Sequence, residues 1–225
     1  MIDGFFKFLG IPAAQVVNAT YETFYMIFVS LAVGSVIGMA LALSLVLTNK
    51  DGILKNGPVF AALNSVVNVV RSVPFIILMV FIMPLTKFVV GTRIGTTAAL
   101  VPLTLFIAPY LARLFENSFL EVDKGIIEAA RAMGATTGQI IRHFLLPEAK
   151  GSLILSLTTG TIGLLGATAM AGAVGGGGIG DLALTYGYER MNFVLMLFTV
   201  VILVIFVQVI QTAGNWFAYR QRHHR

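Results

Sequence analysis

The chain has 225 residues, of which 57% are hydrophobic and only 11% charged, and its mean hydropathy is +0.91. A soluble domain carries roughly 25% charged residues, so this chain cannot clothe itself in polar side chains and lipid is its expected solvent. It has no cysteine, which excludes disulfides and thiolate metal sites, and its net charge of +5 comes from Lys and Arg scattered at the ends of apolar runs, as suits membrane orientation rather than nucleic-acid binding.

Crossing about 30 Å of hydrocarbon takes about 20 mostly apolar residues. Five segments meet that requirement. The first, 23–47, holds no charge. The run that contains it is too long for a signal-peptide core and lacks a convincing cleavage site, so it is expected to stay as a helix. The second is placed at 73–90, behind an apolar lead-in from residue 59, and the third at 97–115. The fourth and fifth are 152–173 and 193–213. The expected fold class is all-α, a polytopic membrane protein with five transmembrane helices forming one domain over 1–225.

Five spans put the termini on opposite sides, and the basic residues decide which is which. One set of loops holds Lys50, Lys55, Lys124, Arg131, Arg142, Lys150, Arg220, Arg222 and Arg225; the other holds only Lys7, Lys87, Arg93 and Arg190. Arg71 and Arg113 lie within or beside spans and are left out. The C-terminus is therefore expected in the cytoplasm and the N-terminus outside. The polar stretch 119–151, between the third and fourth spans, falls on the cytoplasmic side.

None of the ten carboxylates lies in the middle of an expected span. Ion-coupled carriers usually keep such groups there, and no internal repeat of the carrier kind is visible. One five-span copy makes a poor channel wall, so a dimer is expected. Gly34 and Gly38 form a GxxxG in the first span, and Gly160, Gly163 and Gly166 recur in the fourth. Such residues let helices approach closely in lipid. They serve either ordinary packing or a fourth helix lining a path at a dimer axis, with Met170 as its constriction. Before the second span, Asn64, Asn68 and Arg71 share one helical face, followed by Pro74, which favours a bend. The pair Arg71 and Pro74 reads either as a gate or as a kink whose arginine reaches the headgroups.

Gly175, Gly177 and Gly180 fit G-x-G-x-x-G, but that pattern has meaning only between a strand and a helix. Here it follows a membrane helix and reads as a flexible turn or helix break. His143, His223 and His224 are the only histidines, and nothing supplies a third metal ligand. No G-x-x-x-x-G-K-[ST] occurs, so any ATP would be bound by another subunit. No acid–base pair or nucleophile constellation suggests an enzyme.

Within 119–151, propensity gives two short helices. The first runs over about 125–133 and stops at Gly134. The second is capped by Thr136 with Gln139 three residues on and is expected to end before Pro147. Neither can cross a bilayer, so the pair reads as a docking element or a structured linker. Glu128, Ala129, Ala130, Gly134, Leu146 and Pro147 stand in the pattern E-A-A, three residues, G, then L-P, which resembles the EAA motif of ABC importer permeases. Further stretches are similar to the methionine-uptake family of those permeases: Arg71-Ser-Val-Pro-Phe-Ile-Ile-Leu78, Val101-Pro-Leu-Thr104, Arg131-Ala-Met-Gly-Ala-Thr136, Leu146-Pro-Glu-Ala149, and Ala171-Gly-Ala-Val-Gly175 through Tyr186-Gly-Tyr188. The resemblance covers residues 20–214 or so.

This resemblance implies a type I ABC importer permease fold. It also implies a complex of two copies of this chain, two cytoplasmic ATPase subunits that bind ATP and Mg, and an extracytoplasmic methionine-binding protein, all in the bacterial inner membrane. No cofactor is implied in this chain. The loop helix, with Glu128, Ala129, Ala130, Gly134 and Ala135, would sit in a groove of the ATPase and transmit its closure. Import of another amino acid or small peptide is the nearest alternative. An autonomous secondary carrier or channel is a further one, and it leaves the loop unexplained.

Overall fold

The structure is a computed structural model that describes residues 9–222. Asp3, Lys7, His223, His224 and Arg225 lie outside the described residues. The first helix that lies wholly within the described residues, α1 (Ala13–Thr48), is apolar almost all round and contains no proline, so nothing interrupts it. At 1.5 Å per residue its 36 residues extend about 54 Å, well beyond the roughly 30 Å of hydrocarbon. It therefore starts ten residues before the charge-free stretch that marks it in the sequence.

The second expected span is corrected. The apolar lead-in is a helix in its own right, α2 (Gly57–Ser72), and residues 73–90 split into α3 (Phe75–Phe81) and α4 (Met83–Val90). Pro74 caps α3 with φ −54° and ψ 135°, outside helical geometry, and Ile82 at φ −92° and ψ 8° separates α3 from α4. Two prolines cause this. Pro74 holds Val73 away from helical angles, and Pro84 is accepted because it falls in the first turn of α4. Among the described residues, four helical stretches are long and apolar enough to cross a membrane, or five if the broken pair α2–α3 counts as one span.

Next come α5 (Thr96–Leu120), α6 (Lys124–Ala132) and α7 (Thr137–Ile140), then a π-helical turn Ile141–Leu145 that runs into α8 (Leu146–Gly172). The expectation that the second loop helix ends before Pro147 is thus also corrected. Leu146 N–H donates to the Ile141 carbonyl five residues back, and Pro147 falls in the first turn of α8. The wider π turn lets the helix pass a residue with no N–H to give. After α8 come α9 (Gly178–Asp181), a second π-helical stretch Leu182–Tyr188, and α10 (Phe193–Arg222).

The chain forms two compact units from discontinuous segments. One takes the chain up to Val33, Val73–Ile107 and Thr161–Ile210. In it Leu9, Ile11, Val16 and Ala19 pack on Ile179, Leu182 and Leu195 in a buried apolar cluster. The Glu22 carboxylate accepts the Gly178 N–H at 2.7 Å, and Thr23 Oγ1 accepts the Ile179 N–H at 2.9 Å, so α1 caps the start of α9. Gly177 and Gly178 have φ of +75° and +83°, which only glycine adopts without cost. The G-x-G-x-x-G run is therefore a helix break, with no strand before it.

The other unit takes Gly34–Ser72, Ala108–Gly160 and the chain from Gln211. Here α1 and α5 meet at Gly38, where a Cβ would lie 2.8 Å from the Ala108 carbonyl oxygen. Replacing Gly38 by leucine should destabilise the protein by about 1–3 kcal/mol through overpacking. Gly57→Ala, at a position with nothing within 4 Å of a Cβ, should not. Thermal unfolding in detergent followed by circular dichroism checks both; equal Tm values for the two variants would contradict the close crossing.

Candidate functional site

The loop between α5 and α8 is organised by its own backbone. Asp123 caps α6 by accepting the Gly125 N–H at 2.6 Å. At the other end Gly134 adopts φ +79°, its N–H reaches the Arg131 carbonyl at 2.9 Å, and the Ala135 N–H reaches the Ala130 carbonyl at 3.1 Å. These two bonds form a Schellman motif, which satisfies the last carbonyls of α6 and turns the chain. One residue later Thr136 opens α7 with a capping box: the Thr136 N–H donates to Gln139 Oε1 at 2.8 Å, and Thr136 Oγ1 accepts the Gln139 N–H at 3.4 Å. Helix end, glycine and helix start occupy about seven residues, which leaves the pair little freedom to reorient.

The two faces of α6 differ. Ala130 is 0% exposed, and Val122, Ile140 and Leu145 are buried in the same unit. Glu128, Ala129, Ala132 and Gly134 face outward, together with Met133, which is 72% exposed. The expected docking residues therefore divide. Ala130 holds the helix against its own chain, whereas Glu128, Ala129 and Gly134 are exposed; Ala135 and Leu146 are half-buried and Pro147 is exposed. Small side chains around one methionine make a surface that another protein's groove can approach closely.

The other candidates lie elsewhere. Met170 is 50% exposed on α8. Gly166, one turn earlier, is also exposed, and a Cβ added there would meet nothing within 4 Å, so it serves no packing within its own chain. Arg71, at the end of α2, and Pro74, after it, are both exposed. Neither lies on the loop that carries the docking residues.

Sequence reasoning missed a polar cluster centred on Arg113 of α5. Its Nη1 donates to Glu116 Oε2 at 2.6 Å, and its Nη2 donates to Asn64 Oδ1 and, at 2.8 Å, to Asn68 Oδ1 on α2. Glu116 is only 4% exposed. The stripe of Asn64 and Asn68 was a signal that this face of α2 meets a polar partner, but not which one. Below it, Ser118 Oγ lies 2.9 Å from Ser156 Oγ and 3.0 Å from Ser152 Oγ, and Ser152 Oγ donates to Glu121 Oε2 at 2.8 Å. These hydroxyls join α5 to α8 at the root of the loop.

Residues 34–223 match the family described as "Binding-protein-dependent transport system inner membrane component". A protein of Vibrio cholerae serotype O1 named "Probable D-methionine transport system permease protein MetI" is 50% identical over 206 residues, 92% of each chain. The Bacillus subtilis "Methionine import system permease protein MetP" is 44% identical over 208 residues, 92% of this chain and 94% of that one. Among solved structures, a chain of the inward-facing MetNI methionine ABC transporter superposes with a TM-score of 0.91 at 44% identity, covering 93% of this chain and 97% of its own. An amino acid ABC transporter solved with histidines matches at TM-score 0.76 and 20% identity, which bears on the fold alone. An all-helical chain, with a structured loop between apolar helices and this match over most of its length, belongs to the family of inner-membrane components of binding-protein-dependent transport systems.

Proposed function

We propose that this chain is the permease of an ATP-driven importer of methionine, working as a single membrane domain over 1–225 in a symmetric pair. The observation that carries the reading is the loop, whose helix α6 presents Glu128, Ala129, Met133 and Gly134 outward while Ala130 anchors it from within. Methionine as cargo is supported by the names of the relatives and by their coverage of nearly the whole chain.

In this reading two cytoplasmic ATPase subunits bind ATP and Mg, and this chain binds neither. Closure of the ATPase pair moves α6 and α7. Because the π turn makes α7 continuous with α8, that movement passes into a membrane helix without a hinge between. An extracytoplasmic binding protein delivers methionine on the opposite side. The loop 119–151 and the C-terminus are cytoplasmic and the N-terminus is outside, as the basic residues indicate. The stripe of half-buried Gly163 and exposed Gly166 and Met170 faces the second copy across the path, with Met170 as its narrowest point. Arg71 and Pro74 mark the bend that changes as the path opens.

Reconstitution tests the whole reading. Vesicles holding this chain with its ATPase, given ATP and the binding protein, should take up labelled methionine, and neither component alone should suffice. Uptake of another amino acid instead would replace the cargo, and uptake by this chain alone would overturn the class.

Gly134→Trp tests the loop. A Cβ there meets nothing within 4 Å, so the substitution starts without a clash on the exposed face, and the left-handed φ costs about 1–2 kcal/mol. The variant should insert normally yet move about tenfold less methionine per ATP. Uptake and hydrolysis measured together in the same vesicles give the ratio, and a normal ratio would contradict docking at this face.

A further inference from the structure

The polar cluster on α2 and α5 leaves one cation unmatched. Arginine has no acceptor atom, so Asn64 and Asn68 must each turn the amide oxygen toward Arg113 Nη2. The exposed Asn68 is thereby left with its Nδ2 end, and two N–H groups, to give to something else. Arg71 follows three residues later on the same face of α2. It is exposed, and among the described residues it has no ion pair or hydrogen bond. The one carboxylate of the cluster, Glu116, is already held by Arg113 at 2.6 Å. A guanidinium and an amide NH2 thus stand side by side with no anion to receive them.

Their depth in a bilayer follows from helix lengths. Lys50, Asp51 and Lys55 put the start of α2, at Gly57, in water. Asn64 lies about 10 Å along the helix from Gly57, and its partner Arg113 lies about 10 Å from the end of α5 at Leu120. Arg71 lies about 21 Å from Gly57. Hydrocarbon roughly 30 Å thick leaves it about 9 Å from the far face, and a moderate tilt of α2 moves it toward the middle. A guanidinium at that depth is costly against lipid tails and belongs beside a polar partner or a water-filled cavity. Ser65 and Ser72 are exposed on the same side of α2, which suits water and not lipid.

We propose that Arg71 and Asn68 form an anion site within the path that takes the carboxylate of the amino-acid cargo. This deepens the importer reading above and rests on it. The carboxylate accepts two N–H bonds from the Arg71 guanidinium, the geometry that suits both groups, and a third from Asn68 Nδ2. Glu116 and Arg113 are positioning residues, since they fix which end of the Asn68 amide faces the cargo. The site reads the group that all amino acids share, so it holds the cargo without choosing among side chains. A phospholipid phosphate carries the same sign of charge, but the depth of Arg71 sets it apart from the headgroups.

The test uses the complex of this chain with its ATPase, in lipid nanodiscs that leave both faces open to reagents. The chain has no cysteine, so Ser72→Cys, one turn after Asn68 and exposed, gives it a single thiol on this face. Rates are taken relative to those of a free thiol in water. On that scale an anionic sulfonatoethyl methanethiosulfonate should react about fivefold faster than its cationic trimethylammonium counterpart. Adding Arg71→Gln should abolish this preference, and Arg71→Lys should keep it. Methionine should slow the reaction, whereas methioninamide, which lacks the carboxylate, should not. In vesicles with ATP and the binding protein, Arg71→Gln should lower methionine uptake about tenfold, and Arg71→Lys should restore most of it. Failure of the unaltered complex to import methionine would overturn the reading beneath the site. With that uptake intact, the site alone would be overturned by equal rates that ignore Arg71→Gln, by equal protection from methioninamide, or by undiminished uptake in Arg71→Gln. It would also be overturned if neither reagent reacted, which would place the face against lipid and Arg71 on a phosphate.

Discussion

A helix end leaves backbone N–H or C=O groups without a partner inside the helix, and several of the places where this chain stops being helical supply those partners. At Gly134 the Schellman bonds take up the last carbonyls of α6. At Thr136 a capping box takes up the first donors of α7. At Gly178 and Ile179 the side chains of Glu22 and Thr23 do the same for α9 from a distant part of the sequence. At Pro147 the π turn re-registers the ladder instead of breaking it. Each of these breaks is closed by bonds that also fix its direction.

The same constraint governs the polar side chains. Glu116 is almost wholly buried on α5, and Arg113 of the same helix compensates it at 2.6 Å while also engaging two amides of α2. Removing one member of such a pair typically costs about 3–5 kcal/mol, because the partner is left as a bare buried charge. The serine cluster is milder, each hydroxyl bond contributing about 1 kcal/mol, but it ties α8 to α5 where the loop leaves both. With Arg113 at one level of α5 and Ser118 at another, this helix is the common post to which α2 and α8 are fixed within the unit.

How much of this was legible in the sequence depended on the range of the interaction. The loop was legible because its signals are local: Gly134 stops one helix and Thr136 with Gln139 starts the next, all within a few residues. The second span was not. Its apolar composition satisfies any window of suitable length, and only the geometry at Pro74 and Ile82 shows that it is two helices following a third. Nor was the continuity of α7 with α8, since a proline usually ends a helix and a π turn leaves no mark in composition. Arg113 was hardest to read. Its partners Asn64 and Asn68 lie 49 and 45 residues away, and no periodicity reports a contact at that distance. Of the candidate site residues, Glu128, Ala129 and Ala130 share α6 and Gly134 and Ala135 the turn after it, Leu146 and Pro147 open α8, and Met170, Arg71 and Pro74 rest on the symmetry proposed for the pair.

Docking of the loop on an ATPase is the claim on which the functional reading stands, and the lack of native cysteines gives it a direct test. Met133, 72% exposed on the loop, can be replaced by cysteine without opening a cavity in the packing beneath it. In cells making the whole complex, a docked cytoplasmic loop predicts that Met133→Cys cross-links to the ATPase subunit through a short bifunctional thiol reagent. It also predicts that a membrane-impermeant thiol reagent reaches this cysteine only after the cells are opened. Labelling from outside intact cells would contradict the placement of the loop. Absence of the cross-link, in a complex that still hydrolyses ATP in response to the binding protein, would contradict docking itself.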